Sequence, residues 1–412
     1  MKKLGLAIIV LLAVLGWTMP IFNIQSSRAY STIAYVDDDN VSGPWDGSPQ
    51  HPYQNITSGL EHTSPNGTIF VYNGTYYERI CVNESISLIG ENKFGTIIDG
   101  NFSGTVLRIT ADNVNVTNFT ICNGKAMGIA GGITLSYCAG CHIDNNIIRD
   151  NLDGIGLENC SNSIIADNII LCPSWHGTPL STNGILMYNT DENMIANNTI
   201  SSGYVALGLV GGLQNIVNGN RFYSNWYGIR IHDSSNNTIF ANQIFNNTRG
   251  IHIGSYGQEL GILNNLVYHN DFINNTQQAT KTNSINIWDN GYPFGGNYWS
   301  DYNGTDLYSG PHQNKTGSDG IGDKPYIIPD GYPVPEGQDS YPLMKPLFWW
   351  NLADVNYDLK VDLYDATKVL AAYGSKFGEE MYNSNCDIAE PYGRINLFDA
   401  VLVLLNYGKK YT

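Results

Sequence analysis

The stretch GIRIHDSSNNTIFANQIFNNTRGIHI, Gly228–Ile253, carries the reading of the fold. It opens and closes on the same pair, Gly-Ile, at 228 and again at 250. Between them Asn242 heads an Asn-x-apolar triplet, 14 residues after the first glycine and 8 before the second. The runs "GIRIH" and "NTIFA" alternate apolar and polar residues with the period of two that marks a strand with one buried face. No helical periodicity runs through the segment.

The same spacing recurs along the chain. The second residue of the Gly-Ile pair, or its equivalent, falls at Ile133, Ile155, Ile185, Leu207, Ile229 and Ile251. Asn-x-apolar triplets begin at Asn118, Asn146, Asn168, Asn198, Asn220, Asn242 and Asn270. The step from the Gly-Ile pair to the next Asn is 14 residues in five units and 20 in the last. The step from Asn to the following pair is 8 in four units, and longer where "NGKAMGIAG" and "PSWHGTPLSTN" enter after Asn118 and Asn168. A 22-residue β unit cannot bury its own apolar face, so successive units must stack. Three short strands per unit, with Asn and Gly at the corners, predict a right-handed parallel β-helix. The Asn column predicts a ladder in which each buried amide bonds to the one above and the one below.

The 412-residue chain begins with Lys2 and Lys3, an apolar run from Leu4 to Trp17 and small residues at Ser27-Arg28-Ala29. That order predicts a signal peptide over 1–29, and hence a secreted or cell-surface protein that meets a membrane only if the peptide stays uncleaved. A net charge of −16 argues against a nucleic-acid partner, because phosphate binding needs clustered Lys and Arg. About fifteen Asn-x-Ser/Thr triplets, Asn197 and Asn236 among them, suggest a glycosylated surface in an exported protein. One further motif, Cys138-Ala-Gly-Cys141-His142, has the spacing of a haem attachment site. The repeat explains it instead. Cys138 and Cys160 each lie five residues after their Ile, Cys141 aligns with Ser163 and Asn237, and His142 begins the next strand. No haem is expected. Cys138 and Cys160 fall one unit apart, as stacked thiols or a disulfide.

The repeats, together with "GGNYWSDYNGTD" (Gly295–Asp306), "DGIGDKPYIIPDGYPVPEGQDSYPL" (Asp319–Leu343) and the opening "IAYVDDDNVSGPWDGSPQHPYQNITSGL", resemble the NosD-like β-helices over Ile33 to Leu347. These are pectin-lyase-like solenoids, also described as carbohydrate-binding and sugar-hydrolase modules. The resemblance implies a β-helix over 30–347 with a closing segment at 276–345, and a polysaccharide or glycan as ligand. The family name also implies copper. The chain has no His-rich or Met-rich tract to hold it, so copper is not expected.

Strand alternation after each Gly-Ile pair sets the outward columns. The first reads Thr134, Gly156, Leu186, Gly208, Arg230, His252; the second reads Ser136, Glu158, Tyr188, Val210, His232, Gly254. Arg230, His232 and His252 should cluster, with Trp226, Tyr227 and Arg249 beside them and Tyr188 and Glu158 further along. Trp175 and His176, in the second insertion, could edge a groove beside this sheet. The whole set reads as a glycan-binding face. No tight Asp-Asp pair suits a hydrolase. A polysaccharide lyase acting on a uronate is the enzymatic alternative, with Arg230 and a histidine near the abstracted proton. A structural envelope protein without a glycan ligand is the other.

The C-terminal 348–412 changes character. "DVNYDLKVDLYD" puts Asp354, Asn356, Asp358, Asp362 and Asp365, with the carbonyl of Lys360, at EF-hand calcium positions. "VDLYDATKVLAAYG" from Val361 returns 34 residues later as "INLFDAVLVLLNYG" from Ile395, with Asp387, Glu390, the carbonyl of Arg394, Asn396 and Asp399 as second-loop candidates. The duplication resembles a type I dockerin, which implies calcium and a cohesin-like or other surface-protein partner. Leu359 replaces the usual turn glycine, and Asp387 is one residue out of step. A further calcium ion is expected near Asp319 and Asp323.

Overall fold

Successive repeats lie one above another, each strand hydrogen-bonded to its equivalents in the units before and after. The computed structural model describes residues 31–125, 131–173, 182–255, 261–329, 336–347 and 363–375, with Ile395, Ala400, Val403, Leu404 and Tyr407. The signal segment and both insertion tips, with Trp175 and His176, lie outside these. Three sheets of 11, 10 and 9 parallel strands form the walls of the solenoid. In chain order each coil contributes a strand to the first, the second and the third, as His142–Asp144, Ile147–Arg149 and Ile155–Glu158 do. Wholly parallel walls of short strands fit a right-handed parallel β-helix.

The register follows the repeat. Ile133 pairs with Ile155, Ile155 with Ile185, Ile185 with Leu207, Leu207 with Ile229 and Ile229 with Ile251. These side chains are fully buried, as are Leu135, Leu157, Met187, Leu209, Ile231 and Ile253 two residues on. Stacked apolar columns therefore fill the coil, each buried side chain stabilising it by about 1.5–3 kcal/mol.

The corners hold the Asn ladders. Asn198 Nδ2 donates to Asn220 Oδ1 (3.0 Å), Asn220 Nδ2 to Asn242 Oδ1 (2.9 Å), Asn242 Nδ2 to Asn270 Oδ1 (2.8 Å) and Asn270 Nδ2 to Asn297 Oδ1 (2.9 Å). Each Oδ1 also accepts the backbone N–H of the preceding Asn, and each Nδ2 reaches backbone carbonyls. A second ladder, Asn193 to Asn215 to Asn237 to Asn265, occupies the corner between the third and first sheets. A third, Asn225 to Asn247 to Asn275, occupies the corner between the second and third.

One correction concerns Asn118. Thr120 pairs with Ile147, so the ladder slot in that coil belongs to Phe119, whose N–H donates to Asn146 Oδ1 (3.0 Å). Asn118 sits one residue earlier with φ 68° and accepts from Asn145 Nδ2. This reflects a general rule of the corners. From Asn146 to Asn270 the residue before each ladder slot has positive φ: Asn145, Asp167, Asn197, Gly219, Ala241 and His269 at one corner, with Asn236 and Asn246 among those at the others. Asn and Gly adopt that conformation most readily. The turn thus reads as a left-handed residue, a ladder Asn, and a strand-starting residue that is often Thr. Asn197-Asn198-Thr199 and Asn236-Asn237-Thr238 are Asn-x-Thr triplets for this reason.

The ends are capped differently. A short helix, Ile56–His62, covers the first coil, with Asn55 as its N-cap and the Glu78 carboxylate accepting the N–H groups of Ile56 and Thr57. At the other end the coil continues through Gln277–Thr282, Ser284–Ile287 and Tyr298–Trp299. Phe272, Trp299 and Tyr326 then stack at 4.4 and 4.3 Å, carrying the core into the closing segment. Asp339 fastens that segment: buried, it accepts from Asn297 N, Trp299 Nε1 and Tyr341 N. Burial pushes its carboxyl up to about 7 despite these donors.

In the tail, the helix Leu363–Ala371 buries Asp365, Ala366 and Val369. The second copy is tied to the first: Gly374 N–H donates to Ile395 O (2.8 Å) and Ile395 N–H to Ser375 O (3.0 Å).

Two substitutions test this account of the corners. Asn220→Ala removes the amide oxygen that accepts from Asn198 and the amide nitrogen that donates to Asn242, and should cost about 3–5 kcal/mol in guanidinium unfolding. Ala241→Gly relieves a left-handed alanine (φ 56°). It should stabilise by about 0.5–1 kcal/mol, since left-handed strain exceeds the entropy cost of glycine; a fall in the unfolding midpoint would contradict the strain argument.

Candidate functional site

Regular register turns outward positions of the third sheet into columns. Gly208, Arg230, His252 and Thr280 are consecutive cross-strand neighbours in one, and Val210, His232 and Gly254 in the next; at the start of the same strands Val205, Tyr227, Arg249 and Gln277 form a third column in which Val205 and Tyr227 are buried. The expected cluster forms. Arg230 Nε donates to His232 Nε2 at 2.9 Å, and the His232 and His252 ring centres are 5.3 Å apart. His252 Nδ1 meets Thr280 Oγ1 at 2.8 Å. Tyr227 binds the arginines together: its ring lies 5.4 Å from the Arg230 guanidinium carbon and 5.2 Å from that of Arg249, and Arg249 Nη1 donates to its hydroxyl. Both guanidinium groups lie within cation–π range of one tyrosine.

Small residues shape the patch. Gly208 precedes Arg230 in its column and Gly254 follows His232 in the next. A Cβ on Gly254 would lie 3.2 Å from His252 Nε2 and 3.4 Å from His232. The imidazoles therefore settle against bare backbone. His232 is buried at 6% exposure rather than displayed, because Arg230 and His252 close over it. Burial, then the Arg230 charge, push its imidazole down to about 4, with Asp233 opposing. Accepting from Arg230 on Nε2 also requires the neutral ring.

Trp226 extends the face. It is half exposed and stacks on Tyr204 of the preceding coil, ring centres 6.3 Å apart and planes 19° apart. Tyr204 also meets Tyr227 edge-on at 5.7 Å. Sequence reading omitted Tyr204, although it lies 22 residues before Trp226; it also omitted Thr280, displaced from the 22-residue step by an insertion after Ser255. Tyr188 and Glu158 do not join the cluster. Tyr188 is two strand spacings from His232 and Glu158 three, about 10 and 14 Å along the axis.

The acidic turns of the closing segment are braces. Asp323 accepts from Leu307 N, Tyr308 N and Thr305 Oγ1; Asp306 accepts from Asp319 N and Gly320 N; Asp319 accepts from Gly310 N and Ile321 N. The carboxylates expected to gather calcium near Asp319 and Asp323 thus accept backbone N–H groups of their own turns. In the tail only Asp365 of the proposed ligands is described, buried in the first turn of its helix. Asp354, Asn356, Asp358, Lys360, Asp362, Asp387, Glu390, Arg394, Asn396 and Asp399 lie outside the described residues.

Coil, corners and outward columns define a parallel β-helix protein with an aromatic and cationic strip on one wall. The chain belongs to the NosD family: the model described as "Periplasmic copper-binding protein (NosD)" matches residues 60–255 and 181–304, together more than half of the chain. No curated protein matches it. Among solved structures it is similar to an alginate lyase from Paenibacillus sp. str. FPU-7, at 18% identity and TM-score 0.47, covering 59% of this chain and 94% of that one. It is also similar to pectate lyase Pel9A, at 15% identity and TM-score 0.41, covering 70% and 74%. XylC in complex with xylose matches at 11% identity and TM-score 0.44, covering 69% and 73%. Likeness at this level says nothing of what this chain binds.

Copper in proteins is held by imidazole, thiolate and thioether groups. Among the described residues no group of three or more His, Cys, Asp or Glu is disposed to hold a metal ion. The two facing histidines are each engaged, His232 Nε2 by Arg230 and His252 Nδ1 by Thr280. The described residues do not fit a copper site.

His232 sets a pH dependence. Its folded pKa lies below the unfolded value, so the unfolded chain takes up the proton first. Stability should fall as pH drops from 6.5 towards 4 and level off below, by up to about 3 kcal/mol. In His232→Gln, whose amide oxygen can accept from Arg230, that part of the urea-midpoint profile should flatten.

Proposed function

We propose that the outward face of the third sheet binds a polysaccharide lying along the coil axis. The observation that carries this reading is the continuous strip from Tyr204 and Trp226 to Tyr227 with its two arginines. Aromatic faces offer stacking surfaces to apolar ring faces, and guanidinium groups offer forked donors to hydroxyl or carboxylate oxygens. Strand spacing lays these groups in a line, which suits a chain ligand better than a compact one.

The family description supports an extracytoplasmic location, in keeping with the N-terminal segment. The duplicated tail supports a calcium-dependent docking module for a cohesin-like or other surface protein. Its helix buries a carboxylate in the first turn, and its two copies are paired. Leu363 and Tyr364 are exposed there, where an apolar partner surface could meet them.

A second reading, elimination at a uronate, rests on neutral His232 held against Arg230 with His252 facing it. The arginine would stabilise negative charge developing at the sugar carboxylate while an imidazole takes the α-proton.

Affinity electrophoresis through gels containing acidic and neutral polysaccharides tests binding. Trp226→Ala and Arg249→Ala should each weaken retention by about tenfold or more, a loss of at least about 1.4 kcal/mol. Retention in no gel would leave a structural envelope protein as the better reading. Ultraviolet absorbance from unsaturated uronate separates turnover from binding. Chelating calcium should unfold the tail and leave the coil intact; a calorimetric trace unchanged by EDTA would remove the metal from the tail.

A further inference from the structure

Inside the coil three thiols stand in a row. Cys138 and Cys160 lie 22 residues apart on consecutive coils, and their Sγ atoms are 3.6 Å apart. Cys141 Sγ is 3.8 Å from that of Cys138. All three are buried. The bridge series Ala139, Ser161, Asp191, Leu213, Ser235 places Thr190, Gly212 and Ser234 in the Cys138 column. Cys141 heads the ladder that continues through Ser163 and Asn193, its N–H donating to Ser163 Oγ (3.1 Å). Three small sulfur-bearing side chains thus meet at one level of the coil.

The backbone there is set for a covalent link. Ser161 N–H donates to Cys138 O at 3.2 Å, so the two chains run at strand spacing. That puts the Cys138 and Cys160 Cα atoms about 5 Å apart, inside the span a disulfide bridges. The sulfurs need to approach by about 1.5 Å to reach bonding distance, within reach of side-chain rotation. Cys141, three residues from Cys138 along one chain, would link only a tight turn.

We propose that Cys138 and Cys160 form a disulfide that ties two consecutive coils, with Cys141 left as a thiol. The bond forms while the coil is still open, since the closed coil buries both sulfurs. The Cys160 thiolate attacks an external disulfide and expels one thiolate, giving a mixed disulfide. The Cys138 sulfur, losing its proton, then attacks the Cys160 sulfur and expels the second thiolate. One external disulfide is reduced to two thiols, and two cysteine S–H bonds become one S–S bond. The source of oxidant rests on the extracytoplasmic location proposed above.

The test is peptide mapping by mass spectrometry after alkylation in denaturant without reductant. Two samples of the full chain are compared: one isolated from its native location, one refolded in a glutathione redox buffer. The expected result is a Cys138–Cys160 linked peptide in both, with Cys81, Cys122, Cys141, Cys172 and Cys386 alkylated. Linkage in the refolded sample alone would uphold the bond and overturn the location. Alkylation of Cys138 and Cys160 in both, or a Cys138–Cys141 link in their place, would overturn the bond. Reduction should lower the melting temperature of the linked wild type by about 3–8 °C. Cys160→Ser, which keeps a small polar group like Thr190 and Ser234, should melt at the same temperature with and without reductant. An equal reductant effect in that variant would also count against the bond.

Discussion

One interaction sets the terms for the rest: a buried primary amide bonded to its equivalent in the coil above and the coil below. Asn220 accepts from Asn198 through one oxygen and donates onward to Asn242. An amide buried without partners would cost several kcal/mol. The slot therefore demands an equivalent donor and acceptor in the neighbouring coil, at the same height and corner. That demand holds the repeat at 22 residues. Where extra residues enter, as after Asn168, they leave the coil at a corner and return to the same register, so Asn168 still meets Asn198 across 30 residues.

The candidate ligand face is a by-product of that discipline. Inward positions are fixed by packing and corners by the ladders. Outward positions of the third sheet are the ones left to vary, and they vary in columns. Gly208 to Arg230 to His252 is a change from no side chain to two large polar ones over two coils. The glycine beside His232 lets the imidazoles settle against backbone, and that burial keeps His232 neutral. A solenoid builds a specific patch from side chains far apart in sequence but one strand spacing apart in space.

Much of this was legible in the residues. The Ile133 to Ile251 column and both outward columns read off the 22-residue step are the cross-strand pairs of the structure. Asn118 was misread because a left-handed corner Asn and a ladder Asn look alike in sequence; backbone conformation tells them apart, and in that coil Phe119 fills the slot. The other two ladders passed unseen for a related reason: one column sufficed to explain the period. Alternation told which wall His232 faces, but its burial depends on Arg230 and His252 folding over it. Bracing of the turns around Asp319 was not legible, because bracing a tight turn and binding a hard cation call on the same carboxylate oxygens.

The ladders also have a direction. In every rung the side-chain oxygen receives from the coil before it and the side-chain nitrogen gives to the coil after it. A coil laid down from the N-terminus therefore presents the backbone N–H of each ladder Asn to the oxygen of the next coil at its growing end, and the two ends of the solenoid are chemically unlike. Growth stops where the backbone N–H of Asn297 meets the Asp339 carboxylate (2.7 Å) instead of the amide oxygen of another asparagine. The closing segment acts there as a terminator of a polar stack, and without it the last coil would be a template for whatever acceptor-bearing edge arrived next.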